Sequence, residues 1–243
     1  MKLGIDVSKW NGVIDFNQVK KSGIDYVIIR AGYGREKWQK DAFFDINYDK
    51  AKQAGLKIGV YWYSYSETIE DAKLEASACL FVLNGRKIDL PVYFDVEEKR
   101  QFDKGRNFCD SIIDVFCSAI EEGGYTPGLY MSASPLKSHV SNYIKNKYDI
   151  WVAQYNTKCS YSGVYSIWQY SAKGTVPGIN GPVDMNYIYK EYNTEPEPEP
   201  EPISEAIHLL AEEVIAGKWG NGKNRKEYIY KAVQAEVNKI LGA

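Results

Sequence analysis

The sequence predicts an α/β fold: an irregular, TIM-like barrel of five βα units plus three strands, followed by a small three-helix module. Three observations predict it. β-Branched and aromatic runs alternate with helix-period apolar stripes up to residue 147. After residue 148 short strands follow one another without convincing helices. An alternating Glu-Pro segment at 195–202 then sets off residues 203–243.

The strand candidates of the βα half are 3–7, 26–31, 58–65, 92–97 and 128–132, each rich in Val, Ile, Tyr or Phe. Helical stretches are expected near 16–22, 42–54, 67–83, 105–123 and 134–147. Ala72, Glu75, Ala76, Cys79, Leu80 and Leu83 fall at helical spacing, and Ile112, Val115, Phe116 and Ile120 form a second stripe. Glycines at 23, 55, 85 and 123–124 sit where helices should end. The last strands are expected at 150–155, 165–170 and 183–187.

Composition excludes more than it suggests. A chain of 243 residues holds one large domain plus something small. Its net charge of −2 gives no case for a nucleic-acid partner. That charge is local: four glutamates and no base lie in 195–202, against 24 bases and 23 acids in 1–194 and six bases and five acids in 203–243. Cys79, Cys109, Cys117 and Cys159 show no C-x-x-C pairing and read as reduced, mostly buried thiols. With only His139 and His208, a zinc amidase lacks its usual ligands and no Cys-His nucleophile signature appears. His139 reads as a surface or capping residue. No metal or cofactor is expected, since a D-x-E on a strand is not a calcium loop. The start is interrupted by charge and does not read as a signal peptide, and no apolar run approaches membrane-spanning length, so folding in a cytoplasm is expected.

The chemistry sits in Leu90-Pro-Val-Tyr-Phe-Asp-Val-Glu97, an apolar run ending in two carboxylates. Alternation along a strand points Asp95 and Glu97 the same way, with α-carbons roughly 7 Å apart. Two acids on one face suit glycosidic cleavage, where one carboxyl stays protonated and its neighbour ionised. A D-x-E is equally the polar end of a strand entering a turn. Convergence decides between these readings: Asp6 ends the first strand, Asp95 and Glu97 the fourth, and Asp184 lies in the last, so four acids gather where such barrels carry out chemistry. Tyr61, Tyr63 and Tyr65 share a face of the third strand, with Trp62 opposite. Tyr61, Tyr63, Gln154 and Gln169 are the substrate-binding candidates. Gly32-Tyr-Gly34 reads as a turn rather than a phosphate loop.

Five ordered motifs carry a resemblance: Asp6-x-Ser8-x-Trp10-Asn11-Gly12, Phe94-Asp95-Val-Glu97, Ile150-Trp-Val-Ala-Gln-Tyr155, Ile167-Trp-Gln-Tyr170 and Val183-Asp184-Met-Asn186. Over residues 1–192 the chain resembles glycoside hydrolase family 25, the muramidases (lysozymes) of phages, bacteria and some fungi. The resemblance implies cleavage of the β-1,4 bond between N-acetylmuramic acid and N-acetylglucosamine in peptidoglycan. It also implies Glu97 as general acid and Asp95 as the stabiliser of developing positive charge, directly or by orienting the substrate's 2-acetamido group. Asp6 and Asp184 would hold Asp95 or a water in place and crowd Glu97. The family commonly has a histidine at Trp62, so the sugar subsites differ in detail. A chitinase-like enzyme would place further aspartates before the D-x-E, where Val92, Tyr93 and Phe94 stand instead, and a non-catalytic wall-binding barrel would not need all four acids.

Residues 203–243 read as three short helices from Ile203, Ile207, Leu210 and Val214 and from Val233, Val237 and Ile240. Such spacing also fits a dimerisation hairpin. The stretch 210–226 resembles the short cell-wall-binding repeat of some phage lysozymes, which implies muropeptide recognition through Trp219, Asn221 and Arg225. One copy is present and the segment before Tyr230 is shortened; a lone module would gain avidity by self-association. The resemblance thus implies a two-domain phage endolysin, with a catalytic barrel over 1–194, a linker at 195–202 and a wall anchor over 203–243. Its partner is bacterial peptidoglycan, with no nucleic acid and no membrane insertion, and it reaches the wall through a membrane hole made by another protein.

Overall fold

Eight strands close into a barrel in chain order in the computed structural model, which describes residues 1–192, 212–214, 216–219, 225 and 229–231. The strands are β1 (Lys2–Val7), β2 (Tyr26–Tyr33), β3 (Lys57–Tyr63), β4 (Val92–Asp95), β5 (Pro127–Ser132), β6 (Asp149–Ala153), β7 (Ile167–Gly174) and β8 (Val183–Ile188). The helices are α1 (Phe16–Lys21), α2 (Phe44–Gln53), α3 (Ile69–Leu83), α4 (Lys99–Phe102), α5 (Arg106–Glu122), α6 (Ala133–Ser138) and α7 (Asn142–Lys147). The chain divides into two units, Met1–Asn193 and Thr194–Ala243.

The barrel has two apolar layers because side chains alternate along each strand. Val27, Ile29, Ile58, Val60, Trp62, Val92, Phe94, Leu129, Met131, Ile150 and Val152 belong to the outer core, which the helices cover. The residues between them, Tyr26, Ile28, Tyr93, Tyr130 and Trp151, form a separate inner cluster with Ile167 and Ile188. Gly128 belongs to the inner row, where a β-carbon would meet the Tyr93 ring at 2.5 Å. The outer core is dense. Ile112, Ile113, Phe116 and Ile120 of α5 are each 0% exposed, each stabilising by about 1.5–3 kcal/mol. Phe116 stacks on Phe94 at 4.0 Å.

All neighbours are parallel except β8, which runs antiparallel to both β7 and β1. The physical reason is length. Residues 175–182 between β7 and β8 are too few for the crossover that a parallel pair requires. Residues at the beginning of β8 therefore lie at the mouth where the other strands end, and Asp184 pairs in register with Asp6.

Local signals account for most boundaries. Thr68 caps α3, accepting from the Asp71 amide while the Asp71 side chain returns the bond. The helix ends at Asn84 in the left-handed region, φ 47°, one residue before the expected Gly85. The expected helix 134–147 is two helices, broken at His139, which ends α6 with its ring against Phe102. The strands expected to reach Tyr65 and Glu97 stop at Tyr63 and Asp95. Gly32 and Tyr33, expected as a turn, still belong to β2, and the turn begins at Gly34.

The four cysteines are free, three of them buried and Cys159 half-buried. Among the described residues no helix is long and apolar enough to cross a membrane. In the second unit, Glu212–Val214 are helical and Trp219 donates from Nε1 to Glu213 at 3.1 Å. The linker at 195–202, His208, Asn221 and most of the three expected helices lie outside the described residues.

Candidate active site

Asp6, Asp95, Glu97 and Asp184 line one cavity of about 480 Å³ at the mouth of the barrel, together with Tyr61, Tyr63 and Gln169. Strand parity delivers Asp6 and Asp95, the inward residues of β1 and β4, which are 6% and 3% exposed. Glu97 lies two residues past β4. Val96 between them is buried in the outer core, so the alternation continues and turns Glu97 to the cavity's rim, open to solvent.

A hydrogen-bond chain holds Asp6. Its Oδ2 accepts from Asn186 Nδ2 at 2.7 Å and Gln169 Nε2 at 3.0 Å. Asn186 Oδ1 in turn accepts from Trp151 Nε1 at 2.8 Å, and Gln169 Oε1 accepts from the hydroxyls of Tyr130 at 2.9 Å and Tyr155 at 3.1 Å. With both amides locked from behind, Asp6 cannot rotate, and it shares a hydrogen bond with Asp184. Asp95 is different. Its Oδ1 is buried and has no hydrogen-bond partner among the described residues.

Four acids in one desolvated pocket cannot all ionise at low cost. Burial, then Asp184, pushes Asp6 up to about 8, against the downward pull of Gln169 and Asn186. Burial and the charges of Glu97 and Asp6 raise Asp95 well above the carboxylate range. Glu97 is raised by the protein around it, then by Asp184 and Glu98. Asp184 is raised by burial, while its hydrogen bond from Asp6 lowers it, so the proton of that pair sits on Asp6. Asp6 therefore keeps its proton at neutral pH, and Glu97 is shifted in the direction that general-acid catalysis needs.

Sequence reasoning missed Arg30, Tyr130, Trp151, Tyr155 and Asn186. Arg30 is the one cation among the described lining residues, and its guanidinium is held by Asp41, Nε to Oδ2 at 2.7 Å. Parity would have found it, since Tyr26, Ile28 and Arg30 share the inward face. A bulge between Arg30 and Gly32 interrupts the β2–β3 register just beyond it. Trp10, in the short turn after β1 that Ser8 caps, is 79% exposed and also lines the cavity.

Two expectations need correcting. Gln154 does not line the cavity, because it shares the outward parity of Ile150 and Val152 and both ends of its amide bind Ser160, Oε1 to the backbone N–H and Nε2 to Oγ. Tyr65 lies beyond β3 and lines a neighbouring cavity. Trp62 is on the opposite face as expected, fully buried, donating to the Gly34 carbonyl at 2.9 Å. Trp219 and Arg225 belong to the second unit. Among the described residues no three His, Cys, Asp or Glu side chains are grouped to hold a metal ion.

Comparison with known proteins places this geometry. The model for glycosyl hydrolases family 25 matches residues 5–179, and that for the CW_7 repeat matches residues 208–241. An autolytic lysozyme from Clostridium acetobutylicum is 30% identical over 239 residues, 98% of this chain and 65% of that protein. The modular autolysin LytC from Streptococcus pneumoniae, solved with a synthetic peptidoglycan ligand, has a TM-score of 0.69 at 27% identity over 76% of this chain and 46% of LytC. The CTP1L endolysin has a TM-score of 0.69 at 27% identity, over 79% of this chain and 68% of its own. The chain therefore spans under two thirds of the length of the first two of these proteins.

Proposed function

Because this chain belongs to glycosyl hydrolase family 25, we propose that it is a muramidase, hydrolysing the β-1,4 bond between N-acetylmuramic acid and N-acetylglucosamine in peptidoglycan. The observation that carries this reading is the convergence of four carboxyls, all raised, on one cavity at the barrel mouth. Glu97, at the open rim, is the general acid and protonates the leaving glycosidic oxygen. Asp95, which lines the same cavity, stabilises positive charge at the sugar, directly or through the 2-acetamido group. Asp6 and Asp184, sharing one proton, hold the floor of the site, and the charge left on Asp184 helps to raise Glu97. Tyr61, Tyr63 and Trp10 offer faces for sugar rings.

The match of residues 208–241 to a CW_7 repeat supports a second role for that part of the chain. The segment 203–243, tethered by the 195–202 linker, anchors the enzyme to the wall, with Trp219, Asn221 and Arg225 as contacts. Its single copy gains avidity by self-association, and the whole chain acts as a phage endolysin. The test is to digest purified peptidoglycan, reduce the new ends with borohydride and identify them by mass spectrometry. Muramitol ends are expected. Glucosaminitol ends would move the cut to the other bond, and no new ends would remove the hydrolase reading.

A further inference from the structure

A second cavity, of about 490 Å³, opens over the ends of β2, β3 and β4. Glu75 of α3 lines it and is 1% exposed. Its Oε1 accepts from the Tyr65 backbone N–H at 2.8 Å, and among the described residues no cation meets its buried Oε2. Burial pushes this carboxyl up to about 7, the Tyr65 amide and the hydroxyls of Ser64 and Ser66 holding it from rising further.

Both guanidiniums at the cavity are already engaged. Arg35 donates to Asp71 at 2.8 Å, and Arg100 meets Glu67 at 2.6 Å and Glu98 at 3.4 Å. Glu36, Glu67, Asp71 and Glu98 thus share the two cations between them, and among the described residues none pairs with Glu75. A buried carboxyl without a counter-charge is costly, and its complement is an ammonium. The cavity also neighbours the acid-lined site. Tyr63 lines the one and Tyr65 the other, with ring centroids 5.0 Å apart.

We propose that this cavity is a binding site for a primary amine carried on the peptide arm of the glycan substrate, with Glu75 as its counter-charge. A glycan strand seated over Asp95 and Glu97 would pass its attached peptide across the Tyr63–Tyr65 pair, so that the amino group of a diamino acid enters the cavity. This inference rests on the peptidoglycan reading, and its test separates the two.

The full chain is titrated calorimetrically with the tripeptide Ala-γ-Glu-Lys and with the same peptide acetylated at the lysine amine. The free amine is expected to bind roughly tenfold tighter than the acetylated form, and Glu75→Gln, which keeps an acceptor for Tyr65, to abolish that difference. Equal binding of both peptides to the wild type, or unchanged discrimination in the variant, overturns the proposal. In parallel, the wild type's preference for peptide-bearing over peptide-stripped glycan should fall several-fold in Glu75→Gln. A wild type that cleaves neither glycan would defeat the hydrolase reading, while the titration still decides the cavity. If circular dichroism shows Glu75→Gln unfolded, Glu36→Gln on the exposed loop replaces it, with a roughly threefold loss of discrimination expected and no loss overturning the site.

Discussion

At the N-terminal end of the barrel Asp149 opens β6 with its side chain 4% exposed, and four groups answer it. Tyr93 and Tyr192 donate to Oδ1, each at 3.0 Å, and Ser166 and Lys190 donate to Oδ2, each at 2.9 Å. At the opposite end four acids crowd one cavity; among the described residues Asp95 Oδ1 has no partner and the one lining cation, Arg30, is bound to Asp41. The same residue type thus plugs one end of the barrel and remains under-satisfied at the other. Carboxyls that the fold completes give structure. Carboxyls it leaves incomplete hold protons and await a ligand.

Four substitutions sharpen that contrast. Glu97→Gln should reduce release of reducing ends from peptidoglycan on the order of 10³-fold while leaving the circular dichroism spectrum unchanged. An active variant would remove the general acid from the proposed mechanism. At the other end, Asp149→Ala removes the acceptor of two phenols, a hydroxyl and Lys190, leaving the phenols only each other. It should cost about 2–4 kcal/mol in urea unfolding, with turnover per folded molecule retained.

Asp6→Asn tests the crowding. Asp6 rises from 3.8 to about 8, so the folded state holds a proton that the unfolded state releases. Asp95, Glu97, Asp184 and Glu75 shift in the same direction. Stability should therefore fall as pH rises from about 4 towards 8. The lowered carboxyls, Asp15, Asp71 and Asp114, work the other way, but their contribution is complete above the unfolded value and adds no slope there. Unfolding followed at pH 5 and pH 8 should show the wild type losing stability and Asp6→Asn losing less. Equal slopes would show that Asp6 does not titrate in this window. The smallest effect is expected at Gln154→Ala, with turnover within about twofold of wild type, because its amide pins Ser160 rather than facing the cavity. A larger loss would return Gln154 to the site.

Much of this was legible from period-two alternation and from order along the chain. Asp6, Asp95, Tyr61, Tyr63 and Gln169 all belong to inward rows, and the helices stop near the glycines that end them. What escaped the sequence had specific physical causes. Arg30 reads as an ordinary strand charge until its row is compared with its neighbours' rows. Gln154 reads as a cleft residue until its parity is compared with its own strand's, where Trp151 and Ala153 face inward and Val152 outward. The break at His139 is set by packing against Phe102, from a different element.

By itself, the sequence determined the barrel class, the strand order, the acids and the face each occupies, because alternation and helical periodicity are local properties of the backbone. Only the tertiary structure decided which acids are satisfied. Asp6 depends on Asn186 and Gln169, which lie 180 and 163 residues away. Asp184 reaches the mouth because the short connection reverses β8. Desolvation and like-charge crowding depend on distances across the barrel, and those exist once the sheet has closed.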